Sequence, residues 1–198
     1  MKASLTASLA ATAARLVVEE GLEYDLAKRK AARAYGKHGA RTVELPSDED
    51  VEHEVRAYIA LYCAETQPYE LAALRALAKQ WMERLAAFRP HLTGAVWRGT
   101  ATRRSNVDLE LFCDDPKSAE IALIGDNINY TVAPGQSHRG FDADVLLISS
   151  PCPALGEPAT LALRILDRDD LRGALRPDTR GRTVRGDLSA LRKLEANV

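Results

Sequence analysis

Three polar side chains alternate with apolar ones in the segment NVDLELF, which runs from Asn106 to Phe112. Alternate residues of a β-strand point to the same side of the sheet, so Asn106, Asp108 and Glu110 are predicted to share one face. A divalent metal that handles phosphate groups takes oxygen ligands from a few converging carboxylates. A D-x-D pair supplies two such ligands from a rigid support. Asn106 and Asp108 occupy the two D-x-D positions, and the first of them is an amide.

A glycine-containing turn precedes this strand, and a second acidic pair follows it. Gly94 and Gly99 allow backbone N–H groups to approach a phosphate closely. Asp142 and Asp144 alternate in the later strand pattern FDADV, and a third carboxylate can come from a neighbouring strand. Phosphoryl and nucleotidyl transfer need charge neutralisation and in-line positioning more than covalent help. The residue types favour that chemistry, and solvated charges on a polar sheet face are the alternative for Asp108 and Asp144.

The segment from Gly94 to Leu109 resembles the nucleotidyltransferase superfamily, which has the fold of DNA polymerase β and the minimal bacterial nucleotidyltransferases. That family often reads GSRARGTAxxxSDxDL, and this chain reads GAVWRGTATRRSNVDL without a gap. The identical residues are Gly94, Arg98, Gly99, Thr100, Ala101, Ser105, Asp108 and Leu109. The family continues with a helix and a hairpin that carries the third carboxylate; the matching segments here are 117–124 and 128–133 with 141–150. The whole chain also resembles an uncharacterised bacterial protein family that shares the phrases GAVWRGTAT and LFCDDPKSAEIALI, which adds no mechanism.

The resemblance, which covers roughly residues 70 to 150, implies an α+β fold. An N-terminal helical region would precede a nucleotidyltransferase-like mixed sheet with flanking helices. The resemblance also implies ATP or another nucleoside triphosphate as substrate, Mg²⁺ as cofactor, and transfer of a nucleotidyl group to an acceptor that the sequence does not name. The residues that would contact phosphates are Gly94, Ala95, Arg98, Gly99, Thr100 and Ser105. The metal ligands would be Asn106, Asp108 and Asp144, and the catalytic carboxylates would be Asp108 and Asp144.

Two positions depart from the family's pattern. Ala95 stands where the family has a serine, which removes one hydroxyl contact to phosphate. Asn106 stands where the family has its first metal-binding Asp; an amide oxygen can contact Mg²⁺ but carries no charge. A second hypothesis is therefore a catalytically degenerate protein of this fold that binds a nucleotide, RNA or a protein, for example as a toxin–antitoxin component. In that case the helical N-terminal region would be the interaction module.

Other charged and aromatic residues admit both a functional and a structural interpretation. Trp97 could stack on a base, although a tryptophan between a strand and a turn usually belongs to the core. Glu110 and Asp142 are interpreted as auxiliary or solvated. Three groups of basic residues could contact phosphates or could form exposed faces. These are Arg98, Arg103 and Arg104; Lys28, Arg29, Lys30, Arg33, Lys37 and Arg41; and Arg172, Arg176, Arg180, Arg182 and Arg185.

The elements that must position these residues are predicted in two regions, a helical region at 1–68 and an α+β domain at 69–198. Four segments up to Phe88 have helical spacing of apolar residues, and Ser47 with Asp50 gives a capping-box signal before the third. Tyr62 is assigned to the apolar face of that third helix. From about residue 91 the period changes to two. Strands are predicted at 106–112, 128–133, 141–150 and 159–167, and helices at 116–125, 168–175 and 187–195.

Composition limits the function classes. A chain of 198 residues with 46% hydrophobic content can bury a core, and a net charge of -1 provides no global basic field for nucleic acid. Its three cysteines form no C-x-x-C pair, so no zinc ribbon or disulfide framework is indicated and a cytoplasmic location is expected. The alanine-rich N-terminus runs into Glu19 and Glu20, which favours a mature helix over a targeting peptide. No segment approaches the ~20 apolar residues of a membrane span.

Overall fold

The computed structural model of the protein describes residues 2–36, 44–134, 145–172, 181 and 183–196. The chain forms two units. The first contains Met1–Leu71 and Thr100–Ser105, and the second contains Ala72–Gly99 and Asn106–Val198. Within the described ranges, no helix is both long enough and apolar enough to cross a membrane.

Helices build the first unit. They are α1 (Lys2–Glu20), α2 (Tyr24–Gly36), α3 (Asp48–Tyr62) and the first residues of α4 (Gln67–Arg84). Helix α1 packs against both α2 and α3, and their shared core includes Leu9, Val17, Ala27 and Val55. The helical spacing of apolar residues in the sequence correctly predicts this core.

Helix α3 begins at the predicted capping box. The Ser47 hydroxyl accepts a hydrogen bond from the Asp50 backbone N–H at 3.1 Å, and the Asp50 carboxylate accepts one from the Ser47 N–H at 3.1 Å. The assignment of Tyr62 to the apolar face is wrong, because 67% of this residue is exposed. The buried stripe of α3 ends at Ile59, and Tyr62 lies in the last turn, where its ring contacts the partly buried Tyr58 with 4.6 Å between the ring centroids.

A mixed sheet forms the centre of the second unit, so the predicted α+β class is confirmed. Its strands are β1 (His91–Thr93), β2 (Val107–Cys113), β3 (Thr131–Ala133), β4 (Val145–Cys152) and β5 (Glu157–Asp167). They lie in the order β1-β2-β5-β4-β3; β2 and β5 are parallel, and the other neighbours are antiparallel. The helices of this unit are the rest of α4, α5 (Gly94–Arg98), α6 (Pro116–Gly125) and α7 (Leu188–Ala196).

Several element predictions are confirmed in the second unit. Asp115 caps α6 by accepting from the Lys117 N–H at 3.0 Å, and Pro116 lies in its first turn. The predicted hairpin partners pair antiparallel, with Thr131 opposite Leu147. Other predictions are wrong. The helix expected at 168–175 is a 3-10 turn at Arg168–Leu171, with 173–175 outside the described residues, and the short helix α5 was not expected.

The alternating pattern predicts that strand β2 is half-buried. This prediction is wrong. Glu110 is 4% exposed, and Leu109, Leu111 and Phe112 are buried as well. The strand has β1 and β5 as lateral neighbours, and helices α5 and α6 contact it. Asp108 is the partly exposed member of the strand.

Candidate functional site

The Asp108 carboxylate lies directly against the backbone of Gly94. Strand β1 ends at Thr93, whose cross-strand partner is Asp108, and α5 begins at Gly94 with a φ of +70°. A Cβ atom at Gly94 would lie 2.3 Å from Asp108 Oδ2. Both the positive φ and this close approach require glycine. The structure therefore brings together two of the predicted site residues, one from the turn and one from the strand.

Helix α5 carries three further predicted phosphate-binding residues. Ala95 is buried, Arg98 is partly exposed, and Gly99 ends the helix with a φ of +80°. The backbone N–H of Gly99 donates to the Ala95 carbonyl. Arg75 of α4, itself 8% exposed, donates from Nε to the Val96 carbonyl at 3.4 Å. Arg75 therefore supports α5 from a neighbouring helix, a role for which the sequence gives no local signal.

The other two predicted phosphate-binding residues, Thr100 and Ser105, belong to the first unit. Both are buried, and the Ser105 hydroxyl accepts a hydrogen bond from the Thr102 N–H at 3.1 Å. Two buried side chains at the start of α4 hold this loop. Gln67 donates to the Ala101 carbonyl at 2.9 Å, and the Glu70 carboxylate accepts from the Arg103 N–H at 2.9 Å. The Ser105 hydroxyl thus closes its own loop. Arg103 and Arg104, the other arginines of the predicted clamp, are exposed.

The interpretation of Glu110 as a solvated residue is wrong, because the residue is 4% exposed. Its buried carboxylate lies 2.5 Å from Nη1 of Arg185 and 3.8 Å from Nη1 of Arg164. A buried carboxylate is strongly unfavourable unless cations or donors surround it. The same alternation that places Asp108 and Glu110 on one face therefore gives them different surroundings, since Asp108 abuts a glycine backbone and Glu110 lies between two guanidinium groups.

The C-terminal segment 183–186 positions Arg185. The Trp97 indole N–H donates to the Thr183 carbonyl at 2.7 Å, and the Thr93 hydroxyl donates to the Val184 carbonyl at 2.9 Å. Gly186 exchanges backbone hydrogen bonds with Leu92 at 2.8 and 3.0 Å. The Trp97 ring fills the space that a Cβ of Gly186 would need, 2.2 Å from its nearest atom. Trp97 therefore has a structural role, which agrees with the core interpretation of this residue.

The predicted third carboxylate, Asp144, lies outside the described residues, as does Asp142. The sheet order places β5 between β2 and β4, so the strand that follows Asp144 is not the neighbour of the acidic strand. The residue of β5 opposite Asp108 is Ala162, and the one opposite Glu110 is Arg164. The alternation in LALRIL places Ala162 and Arg164 on one face of a strand, but their pairing with β2 is a long-range feature that no local pattern indicates.

The described side chains suit one Mg²⁺ that arrives with a phosphate ligand. In the described part of the chain, no three His, Cys, Asp or Glu side chains converge as a metal site would need. Mg²⁺ on a nucleotide typically keeps several waters and uses one or two carboxylates besides the phosphates. Asp108, whose carboxylate lies against the Gly94 backbone, offers one such carboxylate. Asn106, two residues earlier and partly exposed, carries an uncharged oxygen.

The basic residues of α2 divide into paired and exposed members. Lys28 lies 2.6 Å from Asp48 and 3.3 Å from Asp25, and Lys30 forms an ion pair with Glu20. Arg29 and Arg33 are exposed, while Lys37 and Arg41 lie outside the described residues. Of the C-terminal arginines, Arg172 is exposed, Arg185 binds Glu110, and Arg176, Arg180 and Arg182 lie outside the described residues.

All three cysteines are free thiols. Cys113 ends β2, and burial raises the pKa of its thiol above the usual value. Burial, together with the nearby carboxylates of Glu70 and Glu19, also raises the pKa of Cys63. Because a nucleophilic cysteine needs a lowered pKa, the environments of these two thiols disfavour thiolate chemistry.

No protein-family model matches the chain, and no curated protein matches it, so the expected bacterial family gains no support. Solved structures match in part. The Cid1 poly(U) polymerase with bound MgGTP has a TM-score of 0.37 and 16% identity, over 56% of this chain and 38% of that one. A cytoplasmic RNA terminal U-transferase has a TM-score of 0.37 and 17% identity, over 60% of this chain and 39% of that one. Cid1 in complex with the UTP analog UMPNPP has a TM-score of 0.37 and 16% identity, over 60% of this chain and 39% of that one. The chain thus spans about two fifths of the length of these structures.

Proposed function

We propose that the second unit is a nucleotidyltransferase-like domain that binds a nucleoside triphosphate together with one Mg²⁺ at Asp108. The observation that carries this proposal is the contact between Gly94 and Asp108, in which the absence of a side chain at Gly94 lets the carboxylate of the partly exposed Asp108 lie against the glycine backbone. The gapless phrase from Gly94 to Leu109 supports it, because its first glycine and Asp108 are the residues in contact.

Each residue of this face has a defined task in the proposal. Asp108 holds the metal, and Asn106 adds a neutral oxygen. Gly94 and Ala95 present backbone N–H groups to the phosphates, and Arg98 adds a cation. When bound, Mg²⁺ would neutralise charge on the phosphates and so favour transfer of a nucleotidyl group. The acceptor in that reaction is not specified by any residue of the site.

Binding without catalysis is the second candidate, and a specific observation favours it. The strand next to β2 presents Ala162 opposite Asp108, so the neighbouring strand adds no acid at this level of the sheet. Two-metal transfer needs more negative charge than one carboxylate and one amide supply. The protein would then act as a nucleotide-binding regulator. An RNA or protein partner of the first unit, and a cytoplasmic location, stay predictions from the sequence.

Isothermal calorimetry tests the proposal. ATP is titrated into the natural chain, Asp108→Ala and Asn106→Asp, each with Mg²⁺ and with EDTA. The control is Asp126→Ala, which removes an exposed acid of the same unit. We expect Mg²⁺-dependent binding that weakens by about tenfold or more in Asp108→Ala, because ~1.4 kcal/mol of binding free energy corresponds to tenfold. Asn106→Asp should bind more tightly, since it restores a charged ligand.

Absence of Mg²⁺-dependent binding in every variant would contradict the proposal. Equal binding by Asp108→Ala and Asp126→Ala would contradict the assigned site. Release of pyrophosphate from bound ATP, measured with candidate acceptors, separates the two candidate functions. Turnover by the natural chain supports nucleotidyl transfer, whereas turnover by Asn106→Asp alone supports a degenerate site.

A further inference from the structure

Two arginines lie on the same sheet face as Asp108. Asp108 is opposite Ala162, and Glu110 is opposite Arg164, on the parallel neighbour β5. Residues opposite each other across two strands, and residues two apart along one strand, share a face. Arg185 reaches the same place from the C-terminal segment, since its Nη1 lies 2.5 Å from Glu110 Oε2. The face therefore presents two guanidinium groups beside the candidate site.

The charge on this part of the face is unbalanced. Glu110 carries one negative charge and is 4% exposed, whereas Arg164 and Arg185 carry two positive charges. The side chains of Arg164 and Arg185 are 28% and 18% exposed. They are enclosed enough for weak screening by salt, yet open enough for a ligand to reach them. Among these three described side chains, one positive charge is therefore not neutralised.

Both arginines also carry a buried donor group. The Nε–H groups of Arg164 and Arg185 are buried, and neither has a hydrogen-bond partner among the described residues. A buried N–H group without an acceptor is unfavourable, and such groups in folded proteins call for a partner. Oxygen atoms of phosphate match the planar fork of a guanidinium group and accept two hydrogen bonds from it.

We propose that Arg164 and Arg185 form a phosphate-binding pair that Glu110 holds in position. This pair rests on the proposed function, because the phosphate it binds is part of the nucleoside triphosphate. It adds the groups that hold this ligand next to Asp108. Glu110 is a positioning residue, because it fixes the two guanidinium groups and does not itself contact the phosphate. The pair binds phosphate by charge-assisted hydrogen bonds and does not need a metal.

Calorimetry with tripolyphosphate in EDTA tests the pair without the metal. Arg164 is the residue to change, since its 3.8 Å pairing with Glu110 is the looser one and Arg185 continues to neutralise the buried carboxylate. We expect Arg164→Gln to bind about tenfold or more weakly and Arg164→Lys to be intermediate, because lysine keeps the charge and loses the planar fork. Arg192→Gln is the control, an equal charge change at an arginine that pairs with Glu83. Circular dichroism confirms that each variant is folded.

Equal tripolyphosphate binding by folded Arg164→Gln and the natural chain would overturn the pair. If ATP binding is Mg²⁺-dependent while Arg164 variants bind normally, the proposed function stands and the pair fails. If Arg164 controls metal-free binding while no variant shows metal dependence, the pair stands and the proposed function fails. A short single-stranded oligoribonucleotide provides the last comparison. If the oligoribonucleotide binds in an Arg164-dependent way and tripolyphosphate does not bind, the phosphate that the pair recognises does not come from a nucleoside triphosphate.

Discussion

At the scale of single residues, surroundings decide what the two acids of β2 do. Asp108 and Glu110 are equivalent in the sequence pattern, two residues apart on one strand. The contact with Gly94 leaves Asp108 partly exposed, while Arg164 and Arg185 enclose Glu110. A metal ligand must be reachable, and a buried carboxylate must be neutralised by its neighbours. Asp108 is therefore the proposed ligand, and Glu110 is held by the two arginines.

Gly94→Ala tests the contact that defines the site. The new Cβ would lie 2.3 Å from Asp108 Oδ2, and the residue would keep a φ of +70°. Left-handed backbone costs a non-glycine residue roughly 1–2 kcal/mol, and the clash adds to that. We expect a loss of more than about 2 kcal/mol in the free energy of unfolding by urea, together with loss of ATP binding.

Two glycines provide matched controls for this substitution. Gly156 has a φ of +71° with nothing within 4 Å of a new Cβ, so Gly156→Ala reports the backbone strain alone. Gly125 also has open space and an ordinary φ, so Gly125→Ala should be neutral or slightly stabilising. If Gly94→Ala costs no more than Gly156→Ala and still binds ATP, the close approach to Asp108 has no functional role.

At the scale of elements, local signals predict the helix boundaries well. The Ser47–Asp50 capping box and the Asp115 cap are present as the sequence indicates. Helix α5 was missed, because a helix from Gly94 to Arg98 is too short to show an apolar period. The burial of β2 was missed because it depends on pairing with β5, which is distant in the sequence. The two helix caps are thus local features, whereas the environment of a strand is a long-range one.

Ser47→Ala tests the cap of α3. Loss of a serine N-cap costs about 1 kcal/mol, which urea unfolding at pH 7 measures. Hydrogen bonds from the Ser47 side chain and backbone hold the pKa of Asp50 below its usual value of 3.8. A lowered folded-state pKa stabilises the protein above the unfolded value, and this contribution disappears as pH falls through the folded value. The difference between the natural chain and Ser47→Ala should therefore shrink below about pH 4.

Ser189→Ala serves as the control for the cap, because Ser189 is an exposed residue inside α7. Alanine is the better helix former, so this variant should be equally stable or slightly more stable at both pH values. A Ser47→Ala variant as stable as Ser189→Ala at pH 7 would contradict a stabilising role of the capping box.

At the scale of the whole molecule, the phrase that suggested a nucleotide site is divided between two units. Gly94–Gly99 and Asn106–Leu109 belong to the second unit, whereas Thr100–Ser105 belongs to the first. Gln67 and Glu70 hold the loop through buried hydrogen bonds to Ala101 and Arg103. The sequence places Gly94 and Asp108 in one motif, and the structure brings them into contact. The sequence does not indicate that Arg164 lies opposite Glu110, because that neighbourhood depends on the pairing of two strands that are distant in the sequence.

Binding of Mn²⁺ in the presence of ATP tests the proposed site, in which Asp108 holds one metal together with one triphosphate. Equilibrium dialysis with ATP on both sides of the membrane measures the Mn²⁺ that the protein retains beyond the metal that ATP itself binds. We predict one Mn²⁺ per chain bound only with ATP, lost in Asp108→Asn and retained in Asp126→Asn. Mn²⁺ binding that is unchanged by Asp108→Asn, or no ATP-dependent binding by the natural chain, would contradict the account.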